Sequence, residues 1–153
     1  MRRGLLLLFA GLLTGCPGPT PGVDPLLPAD YADTYTEVRD CRSSGDHDLH
    51  NIRVLADPAA LGPYLNRMDP FPVGSIIVKE EYDFGDSDCS GEILRWTIMQ
   101  RLEEGESPPD LDWHWQDVNQ DFFVTEDNSE RCAQCHFDCG AATTSYMGTC
   151  TDP

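Results

Sequence analysis

Positive charge is what this chain has least of. Lys and Arg together number 10 against 27 Asp and Glu, a formal net charge of −17 over 153 residues. Phosphate recognition depends on clustered cations, so nucleic-acid binding is excluded, as is adhesion to anionic lipid through a basic patch. Lysine is the scarcest cation, with Lys79 the sole example. No apolar run is long enough to span a bilayer, which excludes a transmembrane helix, and no internal repeat is visible. What is there is a folded composition, 40% hydrophobic and 9% aromatic, of a length that suits one domain. Seven cysteines are many for such a chain, and the odd number calls for an explanation.

The N-terminus supplies part of it. Arg2 and Arg3 precede an apolar run, Leu5–Leu13, in the pattern of a secretory signal. The end of that run, Leu13-Thr14-Gly15-Cys16, resembles the lipobox of bacterial lipoproteins. The resemblance implies cleavage after residue 15, a lipid on the Cys16 sulfur, and an extracytoplasmic address facing the periplasm or the cell exterior. Residues 16–28 then read as a tether, because the stretch 17–28 holds five prolines in twelve positions and can form neither a helix nor a central strand. Residues 29–153 are the expected domain. An extracytoplasmic address permits disulfides.

Within that domain, Tyr31, Tyr35 and Val38 recur at helical spacing, predicting a helix over 29–40. A strand is expected over 51–56. Asp57-Pro58 reads as an N-cap followed by proline at the first helical position, opening a helix to about Met68. Residues 73–84 are the strongest strand, rich in β-branched side chains, with 92–103 as the antiparallel partner. Further strands are expected at 113–118 and 122–124, with Trp113 and Trp115 on one face and His114 and Gln116 on the other. A short helix over 129–138 completes an α+β domain on an antiparallel sheet with flanking short helices.

The chemistry concentrates in that last helix. Cys132-Ala133-Gln134-Cys135-His136 is the C-x-x-C-H signature of c-type haem attachment. Two thiols one helical turn apart can add across the two vinyl groups on a porphyrin edge, and the next residue offers imidazole to the iron. A thioredoxin-like pair, a plain disulfide, and a zinc quartet of Cys132, Cys135, His136 and Cys139 compete with it. With Cys16 lipidated and the haem pair assigned, Cys41, Cys89, Cys139 and Cys150 remain. They allow two disulfides in any of three pairings, Cys139–Cys150 being the local choice.

Met147 is the only methionine after the motif and sits too near it to reach the opposite haem face. Met68 and Met99 are alternatives, Met99 reading better as core, and an open sixth iron position is expected. His47 and His50, in a polar loop among aspartates, read as solvated; His114 reads as a strand histidine with a wet tip.

The run from Phe71 to Glu80, with Asn51–Pro58 before it and Asp112-Trp113-His114-Trp115 after it, resembles the cytochrome P-460 family in order and spacing over about residues 29–138. The resemblance implies a mostly antiparallel sheet, one five-coordinate haem c, and often a homodimer. In catalytic members a lysine is bonded to the porphyrin edge and hydroxylamine is oxidised; Lys79 falls on that lysine and Arg53 on an arginine near the haem. Those members also carry a distal carboxylate, where this chain has Thr97 or a residue close to it. Glu80 or Glu103 would substitute only if turned inward. A related branch, the β-type cytochromes c′, lacks the cross-link and binds nitric oxide or carbon monoxide, and a plain electron carrier is a third expectation. The acidic surface would suit a basic redox partner.

Overall fold

A computed structural model describes residues 22–45, 47, 49–140 and 146–150, apart from the side chain of Cys139. Six strands run in sequence order as one antiparallel meander: β1 (Thr36–Ser43), β2 (Asn51–Ala56), β3 (Ile76–Tyr82), β4 (Arg95–Arg101), β5 (Trp113–Asn119) and β6 (Val124–Asp127). Three α-helices accompany them: α1 (Tyr31–Thr34), α2 (Pro58–Asn66) and α3 (Glu130–Gly140). The α+β expectation holds.

β3 is the central strand because both its faces are covered, and only Lys79 within it is not fully buried. A strand buried on both faces reads as a continuous apolar run rather than an alternation, which is how residues 76–78 are written. One face packs Ile52, Val54, Ile77, Met99, Trp113 and Trp115 against Tyr64 of α2 and Ala133 of α3. The other packs Leu55, Val78, Ile98 and Val118 under Leu27 and Tyr31. The two helices that close the first face therefore meet the sheet on the side where Lys79 projects.

Local signals held where they were strongest. Asp57 caps α2, its Oδ1 accepting from the Ala60 amide at 2.6 Å, and Pro58 follows at the first turn. Trp113 and Trp115 share a face, while His114 and Gln116 turn the other way, both bonding Asp127.

Three expectations are corrected. The helix over 29–40 shrinks to one turn, α1, and residues from Thr36 pair with β2, where β-branched Thr36 and Val38 and the Cys41–Cys89 disulfide favour the sheet. The last strand begins at Val124 rather than Phe122, because Asn119 Oδ1 accepts the amides of Asp121 and Phe123 and holds 119–123 as a turn. Residues 22–28 belong to the domain, not to the tether: Leu27 is buried and the Leu26 amide donates to Gln116 at 2.8 Å. Cys16 lies outside the described residues. Cys150 is disulfide-bonded, and the Cys139 side chain expected opposite it lies outside the described set.

The Cys41–Cys89 bond closes 48 residues of sequence separation and ties the edge strand to the loop before β4. Loop-entropy arguments assign such a closure about 4 kcal/mol.

Candidate functional site

The register of the sheet lines up one row of side chains on the α2/α3 face. Val54 opposes Lys79, Lys79 opposes Thr97, and Thr97 opposes Asp117. The next row outward contains Glu81 and Arg95. α3 crosses above with Cys132, Cys135 and His136, residues whose helical spacing puts them on one stripe. Between helix and sheet lies a cavity of about 360 Å³ whose lining includes all three, with Lys79, Thr97 and Asp117 from the floor and His47 from the β1–β2 loop. Ile77, Met99 and Trp115 give it apolar walls.

His136 is buried against the Trp115 ring, centroids 4.5 Å apart. Its Nδ1 bonds the carbonyl of Gly148, and its Nε2 is 3.3 Å from the Lys79 ammonium. An ammonium can only donate and a carbonyl can only accept, so the proton sits on Nδ1 and the Nε2 lone pair faces the cavity. A metal-ligating histidine has this arrangement, its second nitrogen held by a backbone carbonyl. Burial, then the Lys79 charge, push its pKa well below the usual histidine range, so it is neutral and able to coordinate.

His47 repeats the pattern from the other side. Its Nδ1 is 2.8 Å from Glu81 Oε1, and its Nε2 is 3.0 Å from the Lys79 ammonium. Burial lowers its pKa despite the Glu81 hydrogen bond. Glu81 is fully buried and also holds Arg95 Nε at 2.6 Å and His50 Nδ1 at 3.2 Å. Burial opposes its ionisation, but the His47 and Arg95 contacts outweigh it and keep the carboxyl below its usual range. The solvated-loop expectation for His47 and His50 is therefore corrected: both are clamped, and His47 reaches the cavity.

Asp117 is a carboxyl that the sequence reading passed over. It lies two residues beyond Trp115 on the same strand face, which was the available signal. Burial, against the pull of Arg95, pushes its pKa up to about 6. Its Oδ1 is 4.0 Å from the Cys132 sulfur. Thr97 does face Lys79, and its hydroxyl is buried with no hydrogen-bond partner among the described residues. Glu80 turns to the opposite face, as does Arg53. Arg53 is thus corrected as a cavity residue: it pairs with Glu80 at 2.6 Å and with the Tyr82 hydroxyl at 2.8 Å, away from the cavity. Met99 is in the cavity wall, whereas Met68 is exposed and the Met147 carbonyl takes the Trp113 indole N–H.

The donor set fits a haem. Cys132 and Cys135 are free thiols beside a histidine whose Nε2 lone pair faces the cavity. Four of the chain's ten basic residues, Lys79, Arg42, Arg95 and Arg131, line this cavity, and in so acidic a protein such a concentration suits a group bearing two carboxylate arms. The Thr97 hydroxyl, buried without a partner, marks a place where a polar neighbour is wanting. A thioredoxin-like pair fits less well, because burial and then Asp117 push the Cys132 thiol up to about 11, away from a reactive thiolate. Among the described residues no three His, Cys, Asp or Glu side chains gather as ligands for a bare metal ion.

A search of curated proteins returned no match to the sequence. The family model described as Cytochrome P460 matches residues 28–146, from the segment under the sheet to the loop after α3. The chain belongs to that family, and membership implies a haem cofactor.

Proposed function

We propose that this member of the cytochrome P-460 family is a lipid-anchored, extracytoplasmic cytochrome that holds one haem c covalently and oxidises hydroxylamine or a related small nitrogen species. The observation that carries the reading is convergence. One cavity receives two free thiols, a neutral imidazole with its lone pair turned inward, and the only lysine of the chain.

Cys132 and Cys135 would anchor the group as thioethers, each S–H adding across a vinyl double bond so that nothing leaves. His136 would hold the iron on one side, its ring fixed by Gly148 and Trp115. Arg42 and Arg131 would meet the carboxylate arms. When bound, haem supplies an iron that accepts electrons from a small substrate and passes them on. Lys79 projects beside the His136 nitrogen and is the residue for a bond to the porphyrin edge. Asp117, titrating near neutrality, can exchange protons on the cavity floor. Ile77, Met99 and Trp115 would give the bound group apolar walls. The electrons would leave to a redox protein with a basic face, since complementary charge speeds encounter. Cys16 would carry the lipid, and a homodimer is part of the reading.

One observation favours a second reading, reversible capture of nitric oxide or carbon monoxide: a threonine, not a carboxylate, stands directly across from Lys79. Expression with haem-maturation machinery separates the two. Haem staining of a denaturing gel should mark the band, and Lys79→Ala should shift the absorption spectrum. Hydroxylamine turnover with an artificial electron acceptor is expected of wild type. A stained band without turnover would leave the gas-binding reading, and an unstained band would end both.

A further inference from the structure

Two imidazole nitrogens are aimed at one point. Lys79 Nζ lies 3.0 Å from His47 Nε2 and 3.3 Å from His136 Nε2. Because that ammonium donates to both, each Nε2 presents a lone pair, and each Nδ1 proton is taken by a fixed acceptor, Glu81 for His47 and Gly148 for His136. A buried carboxylate behind an imidazole sets its tautomer and stabilises the imidazolium once the outer nitrogen gains a proton.

The β1–β2 loop that carries His47 is held in place. The His50 amide donates to the His47 carbonyl at 2.9 Å, the Ser44 amide donates to the His50 carbonyl at 2.9 Å, and Cys41 just before it is bonded to Cys89. The His47 side chain is only 15% exposed. Nothing in the haem-attachment motif requires a histidine here, and no function described so far uses it.

We propose that His47 is the proton-accepting residue for a protic ligand of the hydroxylamine class, held on the open side of the iron that His136 ligates. The inference rests on the haem reading and narrows it. With Lys79 drawn to the porphyrin edge, as the haem reading has it, the His47 Nε2 lone pair that accepts from its ammonium is released. It rewards a ligand that brings an N–H or O–H, and offers nothing to carbon monoxide, which has no proton to give. The step moves one proton from the ligand to His47 Nε2, leaving imidazolium on the Glu81 carboxylate; no electron moves in it. Asp117, beside the Cys132 sulfur, is placed at the anchored edge of the group rather than between the two histidines. Glu81 is a positioning residue.

The test uses the haem-loaded full chain and spectral titrations rather than turnover. Hydroxylamine is added to the ferric protein and carbon monoxide to the ferrous one, for wild type, His47→Leu and His47→Gln. The expected result is a tenfold or greater rise in the hydroxylamine Kd for His47→Leu, partial recovery in His47→Gln, whose amide oxygen still accepts, and an unchanged carbon monoxide Kd. His47→Phe, a ring without a lone pair, replaces the leucine variant if that one fails to retain haem. Equal hydroxylamine Kd values across the variants overturn the inference, as does a wild type that stains for haem yet does not bind hydroxylamine. Equal weakening of both ligands overturns it in favour of a packing role. A resting spectrum that passes from low-spin to high-spin on loss of His47 also overturns it, by making His47 an iron ligand. Absence of haem from a denaturing gel is a separate failure, that of the haem reading itself.

Discussion

The two faces of the sheet are one residue apart in sequence and opposite in character. On the face away from α3, Glu80 accepts from the Tyr31 and Tyr82 hydroxyls at 2.7 Å each and from Arg53 Nε at 2.7 Å, and the Trp96 indole donates to Tyr31 at 2.8 Å. Burial and the Glu80 contact both push the Tyr31 and Tyr82 hydroxyls above their usual range, so they stay protonated as donors. That network closes on itself. On the α3 face, Lys79, Thr97, Asp117 and His47 turn into a cavity, where one hydroxyl is left without a partner and one carboxyl is hard to ionise. Closed polar networks hold a fold together; polar groups that converge on space await a ligand.

The contrast can be broken most forcefully at Glu80. Glu80→Ala strips the partner from Arg53 and two tyrosines, and the loss of a buried, hydrogen-bonded charge costs about 3–5 kcal/mol. Urea denaturation should read that loss while the haem spectrum of the folded fraction stays unchanged. A shifted spectrum at unchanged stability would mean that this face also serves the haem.

Asp117 gives the next effect. Its folded pKa, about 6, lies above the ordinary aspartate value of 3.8, so its contribution is fully favourable below about pH 4 and is lost as pH rises through about 6. For the haem-free chain, Asp117→Asn should flatten this slope and raise stability at pH 7 by roughly 1–3 kcal/mol. Denaturant midpoints at pH 4 and 7 compare the two proteins, and parallel slopes would show that Asp117 ionises freely.

The smallest effect belongs to Thr97. Thr97→Val removes a buried hydroxyl with no partner, and the haem-free chain should gain about 1 kcal/mol. A comparable loss instead would show that the hydroxyl is satisfied after all.

Much of this was written locally. The C-x-x-C-H motif is legible because its spacing needs only one helical turn; α2 because Asp57 and Pro58 act on their own first turn; β3 because it opens on the β-branched run Ile76-Ile77-Val78. Arg53 shows where local reading stops. Period-two alternation says that Arg53 and Val54 face opposite ways, but which of them shares a face with Lys79 depends on the β2–β3 register, and Val54 does. His47 lies in a loop whose composition says solvent, and only the carboxylate of Glu81 turns it inward. β1 departs from the expected helix for a related reason: helical spacing over one turn carries no information about a neighbouring strand and a disulfide partner 48 residues away.

The sequence by itself determined the short-range features: the C-x-x-C-H stripe on one helix, the solitary lysine directly after Ile76-Ile77-Val78, and the acidic balance of charge. Tertiary structure alone decided which polar residues serve the fold and which serve the site. Alternating side chains become opposite faces of a wall only after strands pair, and a lone pair acquires a target only when separate elements bring two of them to one point.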